Sequence, residues 1–193
     1  MSFGCSRKPK HPEVVVTVPA WQSLVCAVAG EDAHVVAAEG QAEPARLVFR
    51  NGLGLAELAP SLQPAGKLVT LGDRVPALSD ASLPSPYVWT DPQRARLVVQ
   101  VIGEELARAD AARAKEYRTR AKELDAKLGE LDAELRRTLT KSLRVPAEAR
   151  AFAEAYGLDV DTTRSLGAAV RGGAECGTGY TALVRVIAAS VQK

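Results

Sequence analysis

From Asp110 to about Leu143, the residues Tyr117, Ala121, Leu124, Leu128, Leu131, Leu135 and Leu139 recur three or four positions apart. That spacing places them on one face of a single long helix. Lys, Arg and Glu fill the other positions, often as opposite charges four apart, such as Glu123 and Lys127. Such a stripe either seams a coiled coil or lies across the rest of its own chain, and Gly129 in its middle weakens the first reading. Just upstream, Asp91-Pro92 reads as a helix cap followed by proline at the first helical position. Leu97, Val98, Val101, Ile102 and Leu106 then continue at helical spacing. The sequence therefore predicts two consecutive helices over 92–143.

The first half has a different rhythm. Val14 to Val18 is β-branched and stops at Pro19, and Trp21, Leu24, Val25 and Val28 form one helical face that ends at Gly30. Ala33 to Ala37, Arg46 to Phe49 and Lys67 to Leu71 are further strand candidates, with Asn51-Gly52-Leu53-Gly54 as a turn after the third strand. Leu55 to Leu62 reads as a short helix. Strands alternating with helices predict an α/β layer with a largely parallel sheet. Only Ala38 to Ala45 separate the second and third strands, too few for a helical crossover between parallel neighbours. One of those strands must then be lost, antiparallel or displaced. Pro146 to Tyr156 reads as a helix closed by Gly157, Leu158 to Asp161 as a strand, and Tyr180 to Val191 as a final helix. The fifty residues after Leu143 are too few for a second doubly wound lobe, so the C-terminal part is expected to be reduced and mostly helical.

Composition narrows function by exclusion. A net charge of +2, with acidic and basic residues alternating on the long helix, gives no nucleic-acid footprint. No apolar run is long enough to span a bilayer. Neither His11 nor His34 lies in a nucleophile motif, and the glycine-rich stretch Gly172 to Tyr180 lacks the lysine and hydroxyl of a P-loop, which leaves it as a flexible loop; the chain reads as a non-enzyme. Cys5, Cys26 and Cys176 show no paired spacing, which argues against a zinc knuckle or a disulfide framework, and Cys26 reads as a buried free thiol. Phe3-Gly4-Cys5 followed by the polar run from Ser6 to Lys10 looks like a lipoprotein processing site and its tether.

Several segments, in order, carry a family resemblance. Val14-Val15-Val16-Thr17 through Ala27-Val28-Ala29-Gly30, Glu43-Pro44 through the N-G-L-G-L turn ending at Leu55, Pro86-Tyr87-Val88-Trp89-Thr90-Asp91-Pro92, Glu116-Tyr117 through Leu131-Asp132, and Phe152 through Val160 resemble solute-binding proteins of zinc and manganese ABC importers. The match covers most of residues 13–160. It implies two α/β lobes joined by a long helix, here divided as tether 1–12, N-terminal lobe 13–91, linking helices 92–143 and reduced C-terminal lobe 144–193. It also implies an exported protein of the periplasm or outer face of the cytoplasmic membrane, lipid-anchored through Cys5, monomeric, and partnered by an ABC permease. The implied ligands are three histidines and a carboxylate, because neutral imidazole suits zinc and manganese. Ungapped matching places Gly40, Tyr87 and Pro146 at the histidine positions, and the carboxylate has no counterpart. What remains for a ligand is a polar cluster of Glu43, Tyr87 and Asp91. The simpler reading of the last two is a packed ring and a helix cap. Two roles follow as expectations: metal capture for an importer, degenerate in its metal ligands, or a protein-binding scaffold built on the long helix and first lobe.

Overall fold

The computed structural model describes residues 12–38, 45–55, 66–77, 85–139, 143–173 and 175–191. Strand β1 (Glu13–Val16) is followed by helix α1 (Pro19–Ala29), β2 (His34–Ala37), β3 (Leu47–Arg50) and β4 (Lys67–Thr70). They form one parallel sheet in the order β2-β1-β3-β4. Residue parity decides what each face meets. Val14, Val16, Leu47, Phe49 and Val69 point to the side of α1 and join the main core, whereas Val15 and Val48 form a small cluster on the opposite face.

Of the three outcomes expected for the short link between β2 and β3, the structure takes displacement. Neither strand is lost or antiparallel; β1 lies between them. Four-residue strands are only about 13 Å long. A link of the length between Ala37 and Leu47 therefore has reach enough to regain the start of β3. The expected helix over 55–62 falls mostly outside the described residues.

Helix α2 (Pro92–Ala109) starts where the cap and proline predict, with Asp91 Oδ1 accepting from the Gln93 N–H at 2.8 Å. A 3-10 turn over Ala111–Arg113 leads into α3 (Ala114–Thr138), which is shorter at both ends than the sequence suggests. The two helices pack antiparallel. Arg96 with Asp125 and Arg118 with Glu104 bridge them, and at Gly103 a Cβ atom would lie 2.7 Å from that of Ala121, so glycine sets their close approach. Tyr117, Ala121, Leu124, Leu128, Leu131 and Leu135 are all buried within this one chain, which removes the coiled-coil reading of the stripe.

α3 also closes the end of α1. Arg120 donates to the carbonyls of Val28 and Ala29 at 2.7 and 2.8 Å and to Asp32 Oδ2 at 2.8 Å, a cation on the negative end of that helix. Beside it the Tyr117 hydroxyl donates to the Asp32 carbonyl at 2.9 Å, and burial pushes its pKa up to about 12.

The C-terminal part is mostly helical, as expected, and the strand expected over Leu158 to Asp161 is present, but it pairs with a second strand that the sequence conceals. β5 (Arg144–Pro146), α4 (Arg150–Tyr156) and β6 (Asp159–Asp161) make a small βαβ unit with the two strands parallel. The expected helix from Pro146 thus starts only after β5 and a 3-10 turn. Gly157 ends α4 in the left-handed conformation. Helix α5 (Gly179–Ser190) returns against α1, with Tyr180, Leu183, Val184 and Ile187 in the same core cluster as α1 and α2.

The expectation of a free Cys26 thiol fails. Cys26 on α1 forms a disulfide with Cys176, their Cα atoms 5.2 Å apart. Nor does the glycine-rich stretch hang loose: Ser23 Oγ donates to the Glu175 carbonyl at 2.7 Å and accepts from the Tyr180 N–H at 3.2 Å, while the Gly177 N–H donates to the Ser23 carbonyl at 3.2 Å.

Candidate ligand cleft

Residues 85–91 cross between the first half of the chain and the helices, and each side holds them. The Pro86 carbonyl accepts from Asn51 Nδ2 at 2.9 Å, and Asn51 Oδ1 accepts from Trp21 Nε1 at 2.9 Å. The turn after β3 is thus more than a link, because its fully buried Asn51 couples α1 to this crossing. On the other side Trp89 Nε1 donates to the Val170 carbonyl at 2.7 Å, and the Trp89 ring meets Trp21 edge-on at 5.9 Å. Tyr87 is half-buried, with its ring perpendicular to Trp89 at 5.4 Å.

Asp91 is 3% exposed, and both of its oxygens are engaged. Oδ1 caps α2, and Oδ2 accepts from Arg94 Nη1 at 2.7 Å. Burial raises this carboxyl above its ordinary range, against the pull of the Gln93 N–H and Arg94. The Gln93 side chain leads to a second buried acid, Asp132. That carboxylate accepts from Gln93 Nε2, from Arg136 Nε at 3.0 Å and from the Tyr156 hydroxyl at 2.8 Å. Burial and the neighbouring Asp132 push the Tyr156 phenol far up, so it stays a donor. Buried acids so fully supplied with protein donors gain little from a metal, which would have to displace a guanidinium or an N–H to reach them. Among the described residues no three His, Cys, Asp or Glu side chains are grouped to hold a metal ion.

Residues 38–176 match the profile of the family described as zinc-uptake complex component A, periplasmic. The chain belongs to that family. It is a family of solute-binding proteins that serve metal transport, not of enzymes. Solved structures agree on the fold. The solute-binding protein FpvC of Pseudomonas aeruginosa, in complex with Mn2+, is 23% identical with a TM-score of 0.67, over 78% of this chain and 67% of that one. The laminin-binding protein Lmb of Streptococcus agalactiae, described as having adhesin and metal-transporting activity, is 18% identical with a TM-score of 0.65, over 78% and 66%. A Mn-bound periplasmic metal-binding protein of Candidatus Liberibacter asiaticus is 18% identical with a TM-score of 0.61, over 80% and 71%. The chain thus spans about two thirds of the length of these proteins. No curated protein sequence matches.

Against the ligand set that family resemblance implies, the described positions are informative. Tyr87, where the resemblance would put one histidine, packs on Trp89; Pro146, where it would put another, is buried in β5 with no ligating group. Gly40 lies outside the described residues, as do Glu43, Cys5 and His11. His34 is exposed on the edge strand β2. The expected cluster of Glu43, Tyr87 and Asp91 thus falls partly outside the described residues; of its members, Tyr87 packs on Trp89 and Asp91 caps α2. What the structure does assemble is a set that the sequence does not announce: Arg94 with Asp91, and Gln93, Arg136 and Tyr156 around Asp132. Their only signals are the three- and four-residue spacings Asp91/Arg94 and Asp132/Arg136, which resemble ordinary surface pairs. Asp91, Gln93 and Arg94 themselves line a cavity of about 430 Å³, together with Pro76, Leu97 and Asp125 among others.

Proposed function

We propose that this chain is the solute-binding component of an ABC-type metal importer, of the zinc and manganese class, whose own metal site is degenerate. The single observation that supports this reading is the joint one at the cleft. The family scaffold is present, with its long helix buried in the chain, while Tyr87 and Pro146 stand where the sequence resemblance would put histidines and Asp91 is committed to Arg94 and the cap of α2. On this reading residues 13–91 form the first lobe, 92–143 the linking helices and 144–193 a reduced second lobe. The protein works in the periplasm, or on the outer face of the cytoplasmic membrane, as a monomer anchored through Cys5. The Cys26–Cys176 disulfide supports export, because such bonds persist in oxidising compartments.

The test is a membrane preparation from cells making the tagged full-length product, grown with labelled fatty acid. The product should carry the label, lose it in Cys5→Ser, and co-purify in detergent with an ABC permease. Unlabelled protein recovered in the cytosol, without a permease, would overturn the transport reading and favour the scaffold role. A single acyl chain binds membranes only weakly, so more than one chain per molecule is expected.

A further inference from the structure

Arg94 is 7% exposed, a guanidinium held almost out of solvent at the start of α2. Four hydrogen bonds satisfy it. Nη1 donates to Asp91 Oδ2 at 2.7 Å, and Nη2 to Glu154 Oε1 at 2.8 Å and to the Ala77 carbonyl at 3.3 Å. Nε donates to the Pro76 carbonyl at 3.1 Å. These acceptors come from three separate parts of the chain: the segment after β4, the cap of α2, and α4, which lies 60 residues further along.

We propose that Arg94 is a resident cation clamp, which holds α4 against the segment after β4 so that closure of this cleft needs no bound metal. A solute can close a cleft only by binding the closed form better than the open one, through contacts to both walls. Here a fixed positive charge with a rigid fork of donors already makes those contacts. It also neutralises, at contact distance, the two carboxylates that would otherwise draw a divalent ion, and it repels any cation that approaches them. Opening would leave the Arg94–Asp91 pair, three residues apart at the start of α2, intact, and would instead break the bonds to Glu154 and to the Pro76 and Ala77 carbonyls. The inference concerns closure alone and stands apart from the importer role; failure to recover a permease would leave its readouts unchanged.

Native-state hydrogen exchange on the full chain tests it, with EDTA or zinc chloride added, for the wild type, Arg94→Lys and Glu154→Gln. Wild-type protection of residues 150–156 and 72–77 should be the same with EDTA and with zinc. Both variants should speed exchange in those two segments by about tenfold, while amides in the middle of α2 and α3 stay within about twofold. Glu154 faces solvent, so Glu154→Gln removes the bridging charge without burying an unpaired group, and it decides the matter if Arg94→Lys fails to fold. Zinc-dependent protection of 150–156 in the wild type would overturn the clamp. So would a Glu154→Gln protein whose 72–77 and 150–156 amides exchange at the wild-type rate.

Discussion

Leu128→Ala is expected to destabilise the protein by about 2–5 kcal/mol, by the same amount at every protein concentration. Leu128 is fully buried in the middle of α3, in the cluster that joins that helix to α1 and α2. The truncation removes apolar area and leaves a void that close-packed neighbours fill only in part. Gly103 and Ala121 already hold the two long helices near contact, so the hairpin cannot collapse much further onto the space. Chemical denaturation at two concentrations a hundredfold apart measures both parts of the expectation. A midpoint that rises with concentration would mean that the stripe is satisfied by a second chain. The scaffold reading would then gain what the importer reading loses.

Loss of the Cys26–Cys176 disulfide should cost a comparable amount, about 2–5 kcal/mol. The bond spans a sequence separation of 150, so in the chain-entropy account its constraint on the unfolded state is near the top of the usual range. Its native-state role is local as well. Ser23 already bonds both Glu175 and Tyr180, and the crosslink fixes the start of α5 on α1 at the same place. A Cys26→Ala, Cys176→Ala double variant should therefore melt lower, by about 2–4 °C per kcal/mol for a chain of this size. The native wild type, by contrast, should show neither of these thiols to an alkylating reagent. Two reactive thiols at these positions, with a melting temperature that the double variant shares, would show that the bond does not form.

How legible these features were in the sequence follows their physical range. Local rules carried β1, α1, the Asp91-Pro92 cap and the buried face of α3, because periodicity and capping are written within a few residues. The pairing of Cys26 with Cys176 was not legible: spacing says nothing about two cysteines that the fold brings together from opposite ends. β5 was hidden because three residues that end in a proline look like a helix start, and only pairing with β6 makes them a strand. The sheet order was half legible. The short link after β2 correctly signalled something unusual, but short strands and an intervening β1, rather than a lost strand, accommodate it. At the cleft, the absence of histidine at Tyr87 and Pro146 could be read directly, and so could the capping role of Asp91. Arg94 could not. An arginine three residues after an aspartate on a charged helix looks solvated, and its burial depends on Pro76, Ala77 and Glu154 arriving from elsewhere.

Calorimetric titration of the purified, chelator-treated protein with zinc at pH 7 bears most directly on the claim that the family scaffold persists here without the family's metal site. Side-chain oxygens already held by Arg94, Arg136 and backbone N–H groups make a poor cage for zinc, which is held best by tetrahedral nitrogen and sulfur ligands. The expected result is a dissociation constant no tighter than about micromolar and almost no rise in melting temperature. Linkage sets the scale, since a ligand at about a thousand times its dissociation constant adds about 4 kcal/mol to stability. Nanomolar binding with a large rise in melting temperature at micromolar zinc, both abolished by Tyr87→Phe, would contradict it.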